Sequence, residues 1–118
     1  MGAGVNSMKP LKLSSKCNHD VLIDYGFKKT GMNYKMFIPL YKHKDETMIE
    51  VEFLVSCLDN YIGFDVLDVC NKTLYTAFYD TEYAGPSFVL TCVKDNLDRI
   101  LKDMASKNII TKRCLKIA

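Results

Sequence analysis

Hydrophobic and polar residues alternate most regularly between Met48 and Cys57. Ile49, Val51, Phe53 and Val55 fall on one side of an extended chain, and Glu50, Glu52 and Ser56 fall on the other. Successive strand side chains point to opposite faces, so this spacing predicts a strand with one buried face and one wet face. Three further segments read the same way. Tyr34 to Tyr41 is rich in aromatic and branched residues, and Pro39 puts it at a sheet edge or ends it there. Tyr61 to Val69 places Ile62, Phe64 and Val66 on one face, and Thr73 to Tyr79 is β-branched and aromatic. The breaks between them are short and polar: Lys42 to Thr47, Asp59-Asn60 and Asn71-Lys72. Connections of that length join antiparallel neighbours, which predicts a meander.

Helical spacing occurs at both ends. Asn18 suits a helix start, Asp20 its first turn and Gly26 its close, with Val21, Leu22 and Tyr25 on one face. After the Gly85-Pro86-Ser87 break, Val89, Val93, Leu97, Ile100, Leu101 and Met104 form an apolar stripe opposite a charged face, and Asn108 is the expected stop. The stripe needs an apolar partner, and the inward face of the meander is the large one on offer. The expected architecture is therefore α+β: a four-stranded antiparallel meander with a short N-terminal helix and a long C-terminal helix packed on one face. Met8 reads as a natural start. Residues 1–13 are expected to be a disordered tail or an expression remnant, 14–110 a single domain, and 111–118 a basic tail.

Composition agrees with one ordinary globule. The chain has 118 residues, 48% hydrophobic and 25% charged, which is room for one domain with a real core. No stretch approaches the roughly 20 apolar residues of a membrane helix, and no secretory pattern opens the chain. Met1-Gly2 lacks the Ser or Thr at position 6 that a myristoylation motif needs. The five cysteines form no C-x-x-C pair, so free, mostly buried thiols in a reducing cytoplasm are expected.

Charge is uneven. Residues 1–44 carry eight lysines against two aspartates, and residues 45–118 carry eight lysines and arginines against twelve acids. A basic half can recruit phosphates, but these lysines are scattered and lack a repeat of stacking aromatics. A solvated surface is the better account.

Catalytic chemistry finds no anchor. His19 opens a helix and His43 lies in a lysine-flanked turn, neither near a nucleophile in a hydrolase pattern. Glu50 and Glu52 read as the wet side of a strand. Asp65 and Asp68 are close in sequence, but Asp68 fits a turn-capping role. The glycines are isolated and cradle no phosphate. No catalytic, metal or cofactor residue is assigned, and no cofactor is expected. Tyr61, Tyr75 and Tyr79 are candidates for a solvent-facing partner surface.

One resemblance accumulates along the chain. Tyr25-Gly26-Phe27-Lys28-Lys29, Gly31, Tyr34 and Pro39-Leu40 come first. Val66-Leu67-Asp68 follows with Thr73, Tyr75 and Phe78, then Gly85, Phe88-Val89 and the helix Val93 to Ile109. In order and spacing this resembles the small module preceding the YjbR-like domain of two-domain MmcQ/YjbR-type bacterial proteins. The resemblance implies a compact α+β module and brings no activity or functional residue with it. The DNA-binding suggestion attached to that family belongs to its other domain. The expected function is a non-catalytic protein-interaction domain whose partner is another protein, a second copy (homodimer) included. The alternatives are nucleic-acid binding through Lys28, Lys29, Lys35, Lys42 and Lys44, or a phage or mobile-element inhibitor.

Overall fold

A computed structural model describes residues 11–56, 61–80 and 87–111. In chain order the elements are β1 (Leu11–Lys12), α1 (His19–Tyr25), β2 (Lys28–Thr30), β3 (Asn33–His43), β4 (Glu46–Ser56), β5 (Tyr61–Asp68), β6 (Thr73–Leu74), α2 (Thr76–Tyr79) and α3 (Phe88–Ser106). The strands make one antiparallel sheet in the order β1-β5-β4-β3-β2, with β6 also on β5. The expected meander is its centre, β3-β4-β5. The sheet has six strands rather than four.

The inward face follows the alternation. Ile49, Val51, Phe53 and Val55 are all buried, beside Tyr34 and Met36 of β3 and Ile62 and Val66 of β5. The stripe of α3 meets them with Leu90, Val93, Leu97, Leu101, Met104 and Ala105. Val89 and Ile100, expected within that stripe, are only half-buried. The helices α1 and α3 begin on capping side chains: Asn18 Oδ1 accepts from the Val21 N–H at 3.0 Å, and Ser87 Oγ from that of Leu90 at 3.2 Å. Asn108, at φ 65°, ends α3. The N–H of Ile109 then donates to the Met104 carbonyl at 2.9 Å, closing the last turn in a Schellman arrangement. Gly26, at φ 129°, does the same for α1, and a Cβ there would lie 3.3 Å from Met36 Sδ.

Three expectations change. The segment Thr73 to Tyr79 is a strand only at Thr73–Leu74, then turns into α2. Tyr75, Phe78 and Tyr79 are spaced three and four apart, a helical face. It carries Phe78 to Phe64, ring centroids 6.4 Å apart, and the Tyr79 hydroxyl to the Val66 N–H. Lys42 to Thr47 is not all turn. β3 continues to His43 and β4 begins at Glu46, leaving Lys44-Asp45 at φ 50° and 68° as the loop. Of the two places expected for Pro39, the sheet edge is the one found, and β3 runs on past it. β2 pairs only with Asn33 to Lys35, so the strand is an edge where Pro39 sits, and its pairing with β4 shifts there by a bulge.

The third change is at the ends. The expected tail to residue 13 is ordered at Leu11 to Leu13. β1 pairs with Tyr61 and Ile62, Leu13 bridges Ile110, and the Thr111 N–H donates to the Lys12 carbonyl at 3.0 Å. The two ends of the fold are therefore joined. Asp59-Asn60, Gly85-Pro86 and residues 112–118 lie outside the described residues.

Candidate interaction surfaces

The helices and the sheet's inner side account for the buried core. The sheet's other side carries no element among the described residues, and its composition follows from register. Lys28 pairs with Lys35, Lys35 with Leu54, and Leu54 with Gly63. The next row is Phe37, Glu52 and Asp65, and the one after is Pro39, Glu50, Leu67 and Leu74. Directly paired residues share a face, so these rows all point outward. Phe37 is 52% exposed, Tyr61 54% and Leu74 44%. Lys35 Nζ lies 3.4 Å from Glu52 Oε2, a surface ion pair of small worth.

The five candidate lysines do not gather. Lys28 and Lys35 stand side by side on the outer face. Lys29 alternates to the other side of β2, where its Nζ donates to the Gly31 carbonyl at 2.8 Å. Lys42 and Lys44 lie at the far end of β3, about 23 Å from Lys35 along a strand of this length. The three candidate tyrosines separate as well. Tyr61 faces solvent. Tyr75 is half-buried, and its N–H donates to the Val66 carbonyl at 2.8 Å. The Tyr79 hydroxyl accepts from the Val66 N–H at 2.9 Å, closing the edge of β5 between β1 and β6. Burial raises the pKa of both hydroxyls.

A groove of about 730 Å³ lies between α1, the open edge of β3 and the end of α3. Its polar rim is a cluster absent from the candidates read off the sequence. The Tyr25 hydroxyl donates to Asp103 Oδ2 at 2.7 Å, and Lys107 Nζ lies 2.9 Å from Asp103 Oδ1 and over the Tyr25 ring. Those hydrogen bonds, Tyr25's first, hold the Asp103 carboxyl below its ordinary value, and burial pushes the Tyr25 hydroxyl up. Asp103 and Lys107 are four apart at the C-terminal end of α3, a spacing visible in sequence; their third partner, 78 residues before Asp103, is not.

His19 is exposed, with its Nδ1 2.8 Å from the Tyr34 hydroxyl in a hydrogen bond. His43 is exposed at the end of β3. Asp68 has the turn role expected of it, accepting from the backbone and side chain of Asn71 at 3.2 and 2.8 Å. The thiols are less buried than expected: Cys17 and Cys92 are half-buried and Cys70 is exposed, all three free. Among the described residues no three His, Cys, Asp or Glu side chains group as metal ligands, and no helix is long and apolar enough to cross a membrane.

No protein-family model matches the chain, and no curated protein matches it. One solved structure is similar. It is the crystal structure of a DUF1831 family protein from Lactobacillus plantarum, with a TM-score of 0.66 and 15% sequence identity over 84% of this chain and 82% of that one. At that identity the likeness is one of fold alone: the α+β arrangement of helices on an antiparallel sheet recurs in a solved protein. It does not bear on the resemblance to MmcQ/YjbR-type proteins.

Proposed function

We propose that this chain is a non-catalytic protein-interaction domain of the cytoplasm, and that its partner binds the outer face of the sheet. The observation that carries this reading is the row structure of that face. Phe37, Leu54, Leu67 and Leu74 are held in fixed positions by the β-ladder among charged neighbours, Phe37 and Leu74 exposed and Leu54 and Leu67 half-buried. Rigid apolar side chains inside a polar surround are what a protein interface requires. The free thiols suit a reducing compartment.

The outer face favours protein over nucleic acid. Lys28 and Lys35 share it with Glu50, Glu52 and Asp65, so phosphates would meet carboxylates there, and the remaining lysines are distant or turned away. The test is affinity capture from the source cell with wild type and with Phe37→Glu, checked for folding by circular dichroism. Wild type should retain a defined protein that the variant loses. Capture that is unaffected by the variant, or retardation of RNA or DNA that weakens steeply with salt, contradicts the proposal.

A further inference from the structure

Beyond Lys35 the edge of β3 has no strand beside it, because β2 covers it at Asn33 to Lys35 alone. Pro39 has no N–H, and prolines within sheets turn that side toward an open edge. Alternation turns the main-chain groups of Phe37, two residues earlier, the same way. Phe37 therefore presents an N–H and a carbonyl at the edge, and Pro39 a carbonyl.

A trough runs along this edge. One wall is a single stripe of α3 and its end, with Asn96, Ile100, Asp103 and Lys107 three and four apart. The groove of about 730 Å³ beside α1 forms one end of it. A second groove of about 350 Å³ continues it to Lys42, and the two meet at Ile38. Each has the size of a ligand cleft, about 300–1,000 Å³. Met36 to Lys42 spans about 20 Å of extended chain. The Asn96 amide nitrogen donates to the Leu40 carbonyl at 2.6 Å and ties the wall to the strand. Charge is divided along the trough. Asp24 stands at the α1 end and Lys42 and Arg99 at the other, and none of the three has a partner among the described residues. Asp103 is already held by Tyr25 and Lys107.

We infer that the trough takes an extended segment of another protein, added to β3 as a further strand. Its main chain bonds Phe37 and Pro39, and its alternate side chains enter the trough. Antiparallel addition is the more stable, and it sets the order of charges. β3 runs from the Asp24 end to the Lys42 end. The segment therefore carries an acid for Lys42 and Arg99 toward its N-terminus, an apolar residue over Ile38, and then a base for Asp24. A second copy of β3 fits poorly. Centred on Phe37, it would run into β2 at Lys35; centred on Ile38, each Phe37 would face a Pro39 with no N–H to give. The inference goes beyond the outer-face reading and shares only Phe37 and Pro39 with that face.

The probe is a display library of random nine-residue peptides, panned on the wild-type protein. Selected peptides should place an acid before an apolar residue and a base after it. With one of them made synthetically, Arg99→Glu and Asp24→Lys should each weaken binding about tenfold in fluorescence anisotropy. Arg99→Glu should regain affinity for a peptide whose acid is replaced by lysine. N-methylation of one alternate set of peptide nitrogens should abolish binding and of the other set should not, since only one set faces the strand. Asp24 and Arg99 are both exposed, and circular dichroism checks that each variant is folded. Asp65→Lys, on the outer face two strands away, should leave binding unchanged. A peptide weakened by Asp65→Lys lies on the outer face, which overturns the inference and supports the outer-face reading. Failure to select any peptide, indifference to both charge reversals, or a wild-type dimer that Arg99→Glu dissociates overturns the inference and leaves the outer-face reading standing.

Discussion

At the scale of residues, the fold is fastened by a few hydroxyl and carboxyl groups outside the core. Tyr79 is one: its hydroxyl is the acceptor for the Val66 N–H at the edge of β5. Tyr79→Phe leaves that donor without its partner and should cost about 1–3 kcal/mol in urea unfolding. Tyr25 is another, and its loss can be read through pH. Asp103 titrates lower when folded than unfolded, because Tyr25 and Lys107 bond its charged form. Its contribution to stability is therefore present above the ordinary carboxylate range and lost as pH falls through it. Tyr25→Phe should flatten that acid limb. The tyrosine hydroxyls act with the opposite sign. Tyr25, Tyr75 and Tyr79 all titrate higher when folded, each chiefly from burial. Their contribution is complete below about pH 10 and is lost as pH rises beyond it. Unfolding curves collected from pH 9 to 12 should show falling stability, less steeply in Tyr79→Phe.

Elements form where local signals and burial agree. The caps at Asn18 and Ser87 can be read from sequence, and replacing either by Ala should cost about 1 kcal/mol. The Lys44-Asp45 loop is a position the chain fills poorly. Two successive residues at positive φ are better served by Asn and Gly, so Lys44→Asn with Asp45→Gly should raise stability by about 1 kcal/mol in thermal unfolding. The strands β4 and β5 and the helix α3 are legible from their periodicity, and β3, whose pairing shifts at Pro39, from its aromatic and branched residues. The segment Thr73 to Tyr79 carries two signals: its β-branched and aromatic residues suit a strand, while the three-and-four spacing of Tyr75, Phe78 and Tyr79 suits a helix. Tertiary demand, placing Phe78 on Phe64, decided between them. The strands β1 and β2 have two and three residues, too few for any period to show. Of the outer-face residues, Phe37 could have been found: it alternates with Tyr34, Met36 and Ile38, which left it on the polar side. The cluster of Tyr25, Asp103 and Lys107 could not, because it depends on how α1 meets α3.

For the molecule as a whole, the two sides of the sheet should answer mutation differently. Leu101 and Leu97 are fully buried under the inner face, and cutting either to Ala should cost about 2–5 kcal/mol. Phe37, half exposed on the outer face, should change stability by no more than about 0.5 kcal/mol when made Ser. On the proposed reading, Phe37 serves contact with a partner rather than folding. Photo-crosslinking in the source cell tests this most directly, with the photoreactive residue placed in turn at Leu54 on the open sheet and at Asp95 on the exposed side of α3. A discrete crosslinked protein, whether a second copy or a different chain, is expected from position 54 and none from position 95. The same adduct from position 95 alone, or none from either, contradicts a partner on the open side of the sheet.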